Sequence, residues 1–182
     1  MGYFSKFLMT DAGAALIAKL NVAKKPLTYS KVQFGDGFLG STPVSALTAL
    51  KNMVLESGIV SLKQRAQPGR WDVTGLLDNQ TLKSDFYFRE WGVFAFDPDT
   101  NAHVLVLYTN SGDRAELIPA GGGANIIQRQ ETAAYTIGTA TTVTAVITPD
   151  FNFLTKEDLA AHNTEPTAHA TELAKKADKT QV

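Results

Sequence analysis

The segment that most limits what this chain can fold into is residues 86–96, FYFREWGVFAF. Aromatic or aliphatic side chains fill it almost throughout, interrupted only by Arg89-Glu90 and Gly92. As a single strand it places Phe86, Phe88, Phe94 and Phe96 on one face and Tyr87, Trp91 and Val93 on the other. Apolar residues on both faces predict a central strand covered on each side. Asp97-Pro98-Asp99-Thr100-Asn101 then supplies turn formers, and residues 103–109, HVLVLYT, run back as the second arm of an antiparallel hairpin. Arg89 and Glu90 are neighbours in sequence but point to opposite faces. Each therefore needs its own partner if buried, because an unpaired buried charge is costly.

Other elements arrange themselves around that strand. Thr10 caps a predicted helix in which Asp11 suits the positive end of the dipole and Ala12, Leu16 and Leu20 share a face, with Asn21 and Pro26 marking its end. Residues 27–34 read as a strand running into Gly35-Asp36-Gly37, whose glycines permit positive φ. A short second helix is expected over 44–50, and strands over 53–62 and 71–77. After the glycine-rich loop at 120–124, Tyr135, Ile137, Val143, Ala145 and Ile147 alternate with threonines as a half-buried strand broken near Gly138. The expected class is α+β: an N-terminal helix packed on a mainly antiparallel sheet or sandwich.

Beyond Pro149 the composition changes. From Thr155 onward the chain is rich in alanine and charge and holds no aromatic residue. Thr155-Lys156-Glu157-Asp158 resembles a capping box, so a helix starts there in this reading. Leu159, His162, Pro166, His169, Leu173 and Lys176 follow at the alternating three-four spacing of an a/d seam. A segment of this kind cannot bury itself and calls for partners, most simply copies of itself. The expected division is 1–150 for a folded domain and 151–182 for an appended linker segment that carries this seam. His162 and His169 either converge on an oligomer axis, where imidazoles bind an ion or titrate near neutrality, or stand as polar spacers in solvent.

Several kinds of chemistry are disfavoured. Seventeen basic against eighteen acidic residues leave a formal charge of -1, with no basic stripe to attract nucleic acid. Without cysteine there is no disulfide framework, thiolate zinc site or cysteine nucleophile. No apolar run approaches the roughly 20 residues a membrane span needs, and the first ten residues lack a signal-type stretch. The expectation is a protein made in the cytosol with no membrane partner. Asp97, Asp99 and Asn101 match the opening of a calcium loop, but Ala102 and Tyr108 stand where its glycine and glutamate belong. The glycines at 121–123 lack the Gly-Lys-Ser/Thr of a phosphate loop. His103 has no nucleophile beside it in sequence. No cofactor, metal site or enzymatic activity is expected.

Four motifs, in order, resemble the N-terminal region of phage tail fibres, the phage tail-collar fibre family. They are Leu8-Met9-Thr10-Asp11-Ala12-Gly13, Phe34-Gly35-Asp36-Gly37, residues 86–94, and the histidine-alanine stretch 162–170. The third is similar to that family's F-x-x-R-E-x-G strand, with Arg89, Glu90 and Gly92 as its structural core and Trp91 in place of the commoner isoleucine. The resemblance covers about residues 8–150, with the tail matching the start of a fibre shaft. It implies a homotrimeric structural protein of the virion tail, made in the host bacterium, whose N-terminal domains grip baseplate proteins. Leu159, His162, His169 and Leu173 would then form a trimeric, extended or helical shaft start. Phe4, Phe7 and Leu8 would be candidate baseplate contacts. Receptor contact would fall to regions beyond this sequence. The competing expectation is a stand-alone carbohydrate-binding β-module, with an aromatic such as Trp71 stacking on a glycan.

Overall fold

A computed structural model describes residues 4, 6–67, 69–122, 126–137, 142–148 and 164. The chain divides into Met1–Thr148 and Pro149–Val182; of the second unit only Thr164 is described, so the fold below is that of the first. Along it run β1 (Leu8–Met9), α1 (Asp11–Val22), β2 (Leu27–Gly35), β3 (Met53–Ser57), β4 (Ile59–Gln64) and β5 (Arg70–Asp78). There follow β6 (Phe86–Phe88), β7 (Glu90–Asp97), β8 (Ala102–Asn110), β9 (Glu116–Ile118), β10 (Gln128–Thr136) and β11 (Val143–Ala145).

The strands make three sheets. One has the order β1-β8-β7-β2-β11, with β3 beside the C-terminal half of β2; the second is β10-β5-β4 and the third pairs β6 with β9. Every pairing of these strands is antiparallel except that of β11 with β2. The expected α+β class is therefore corrected to a mainly antiparallel β protein. Strands take 49% of the described residues and helical residues 14%, and α1 is the one α-helix longer than a turn among them. The physical reason is length. After Val22 the described chain has no further segment that keeps a helical period for ten residues, while β-branched and aromatic alternation recurs throughout.

Local reasons follow the sequence. Thr10 caps α1, its Oγ1 accepting from the Gly13 amide at 2.9 Å and donating to the Leu105 carbonyl. Gly13 lets the helix approach β8, since a Cβ there would stand 2.6 Å from Val106 Cα. The central-strand reading holds for β7, whose Val93 lies in the main core with Tyr29, Val32, Phe34 and Phe88. Its Phe94 lies in a second cluster with Leu47, Leu50, Leu105 and Tyr108.

Four local expectations are corrected. Residues 86–96 are not one strand: the chain leaves one sheet and enters another at Arg89, so Phe88 and Trp91 belong to the same core. Residues 53–62 are also two strands, turning at Gly58, where an added Cβ would collide with Thr148. The second helix shrinks to a 3-10 turn at Val44–Ala46. Finally β10 begins at Gln128, ahead of the residues whose alternation suggested a strand, because its outer positions are polar and exposed.

Candidate functional site

The sheet switch at Arg89 builds the most densely bonded polar centre of the domain. Glu90 has no solvent exposure, and no cation among the described residues pairs with it. Its Oε1 accepts from the amides of Gly37 at 2.6 Å and Asn52 at 2.9 Å; its Oε2 accepts from the Lys51 amide at 2.6 Å and the Tyr108 hydroxyl at 2.9 Å. Burial pushes the Tyr108 phenol far above its ordinary range, so it remains a donor. Asn110 closes the arrangement by donating to the Gly37 carbonyl and to the Tyr108 oxygen. A carboxylate satisfied in this way is an anchor for loops, since hydrogen bonds to a charged acceptor are about twice as strong as neutral ones.

Arg89 does the same with the opposite polarity. It is 8% exposed and donates to the carbonyls of Gly112, at 2.9 Å, and Asp36. Its guanidinium lies 3.7 Å from the ring centroid of Phe38, itself 59% exposed, with Tyr87 on another side at 5.6 Å. The backbone joins in: the Arg89 amide donates to Gly35, and the Ser111 amide donates to Arg89. Adjacent residues thus tie the loops at 35–37, 51–52 and 110–112 to one point.

The glycines of this centre are needed for space. A Cβ on Gly37 would meet Glu90 Oε1 and lie 2.8 Å from the Asn52 amide. The expected reason, positive φ, does not apply, because neither Gly35 nor Gly37 has it. Gly92 is similarly crowded by Leu50 and Leu105.

The candidate contact residues are divided by the structure. Phe4 packs on Phe88 at 4.7 Å between ring centroids, and Phe7 meets Trp91 edge-on at 4.8 Å. Leu8, paired with Tyr108 across β1 and β8, remains 41% exposed. Leu159, His162, His169 and Leu173 lie outside the described residues. His103 is an exposed strand residue bonded to Ser30. Asp97 and Asp99 take the ammonium groups of Lys19 and Lys25, and the Lys19 bond holds Asp97 at about 2.

Sequence reading missed one cluster. Arg129 grips Glu116 through both terminal nitrogens, at 2.9 and 2.8 Å, and also bonds Glu131, joining β9 to β10. The guanidinium holds Glu116 down to about 2, whereas burial raises Glu131. Nothing in the spacing of 116, 129 and 131 marks them as partners, since the intervening chain changes sheets. Tyr108 was missed as well, although the pairing of Glu90 with Asn110 across β7 and β8 places it two residues along, on the same face of the sheet.

Among the described residues no group of three or more His, Asp or Glu side chains could hold a metal ion. A family model described as phage tail-collar fibre protein, N-terminal, matches residues 3–156. No curated protein and no solved structure matches the chain.

Proposed function

The chain belongs to the phage tail-collar fibre family and has the structural role of a tail-fibre component of the virion; on that premise we propose that it anchors the fibre to the baseplate. The observation that carries the proposal is the family match across 3–156, the N-terminal part of such fibre proteins. In this reading three copies associate through the seam of Leu159, His162, His169 and Leu173. The surface around Leu8, backed by Phe4 and Phe7, meets a baseplate protein. Interfaces of this kind derive their strength from a few apolar anchors. The protein catalyses nothing here; it holds the fibre so that host adsorption can proceed, and it is made in the host cytoplasm before joining the tail.

The test is to mix residues 1–182 with tails purified from particles lacking the fibre and to follow co-sedimentation. Saturable binding that weakens with Leu8→Asp supports the anchor. Absence of binding, together with specific capture on a glycan array, would replace it with the carbohydrate-binding module.

A further inference from the structure

The strand through which the chain leaves the folded domain is unlike the others. β11 lies parallel to β2, with Val143 opposite Leu27 and Ala145 opposite Tyr29. Bonds continue beyond both ends of this register: the Leu27 amide donates to Thr142 at 3.0 Å and the Val146 amide to Tyr29 at 2.8 Å. The hydroxyls of Thr28 and Thr144 meet at 2.9 Å. The chain then crosses to the second sheet, where Ile147 bridges Ile59 and the Thr148 amide donates to Ile59 at 3.0 Å. Gly58 leaves the room that Thr148 occupies.

Direction matters in such a pairing. The N-terminal part of the chain enters β2 at Leu27, and the tail leaves β11 past Thr148. Because the two strands are parallel, a pull on the N-terminal side and a pull on the tail act at opposite ends of the pair. They slide one strand along the other and load the bonds between them together. A pull on neighbouring ends would instead open the same bonds one at a time. β2 is itself held by β7 over Thr28–Gly35 and by β3 over Val32–Gly35, so it does not yield first.

We infer that β11 is a mechanical clasp: it makes the domain resist tension applied between its N-terminal side and its tail, and much less tension in other directions. The inference deepens the anchor reading, in which the domain is held by the tail structure and pulled through its C-terminal segment, and it rests on that reading for its biological use. It also names the residues involved, Thr28, Gly58, Thr144 and Thr148.

Single-molecule pulling tests it on the whole chain. The protein has no cysteine, so pairs introduced at Lys6 and Lys156, or at Ser57 and Lys156, attach handles without competitors. The first pair draws off β1 and α1 and then shears β11 against β2; the second peels β11 from its C-terminal end. The clasp requires a peak force in the first direction about twice that in the second, or more. The main peak should release about 120 residues, on the order of 400 Å of chain, since everything between Leu27 and Thr148 is freed at once. Gly58→Val should lower that peak, while Leu105→Ala, in the second core cluster, should lower the melting temperature and leave the peak in place. Equal forces in the two directions would overturn the clasp, as would a folded Gly58→Val protein with an unchanged peak. The directional comparison needs no destabilising variant, and neither experiment depends on tail binding. Failure of the clasp is thus distinguishable from failure of the anchor.

Discussion

Glu90 exchanges water for four protein donors and has no counter-charge among the described residues, so its stability depends on every donor being present. Glu90→Gln turns an amide N–H toward groups that are themselves N–H donors. We expect a loss of about 3 kcal/mol, read as a lowered urea midpoint with unchanged slope. Tyr108→Phe removes one donor of four and should cost about 1–2 kcal/mol by the same measurement. The sequence made this centre partly legible. Two adjacent charges inside an apolar strand had to find separate partners, and they do. That those partners are backbone amides and carbonyls was not legible, because backbone groups carry no identity in sequence and only the chain path brings residues 37, 51 and 52 to Glu90.

Between elements, the joints are of two kinds, steric and ionic. Gly13 is the steric joint of α1 with β8, and Gly13→Val should force the helix from Val106, lowering stability by about 2–3 kcal/mol in denaturant titration. The Arg129 joint of β9 with β10 is ionic and depends on pH. Glu116 is depressed to about 2 when folded, so its contribution is complete above the unfolded carboxylate value near 4.3 and is lost as pH falls toward 2. Glu131 acts in the opposite sense, because burial raises its carboxyl and its protonated form favours the folded state at low pH. Glu116 and Arg129 each keep 27% of their side-chain surface exposed, so salt screens part of the effect. Arg129→Met should flatten the fall in melting temperature between about pH 4 and pH 2, measured at low salt. The helix α1, strand β2 and the β7–β8 hairpin were readable from period, caps and turn residues. The breaks at Arg89 and Gly58 were not, since alternation continues across both while the chain changes sheets.

At the scale of the whole molecule, family membership was legible in three short motifs, in order, within the matched residues 3–156; the fourth, at 162–170, lies beyond them, and the fold class was not legible. One well-capped helix near the start gave helix more weight than a chain dominated by strands supports. The assembly prediction belongs at this scale. Light scattering on residues 1–182 is expected to give the mass of a trimer, and the same protein cut after Leu154 that of a monomer. A trimer in both would move the threefold contacts into residues 1–154, and a monomer in both would remove the seam. The pairing of Thr28 with Thr144 spans 116 positions of chain, and that distance also sets an order of events in folding. β2 is made early and waits for its parallel neighbour until nearly all of the domain has been synthesised, so its closing step is long-range, entropically expensive and last. Helix α1 and the β7–β8 hairpin, whose contacts are closer in sequence, can form on the ribosome, but the edge beside Leu27 stays open until residue 146 has left it.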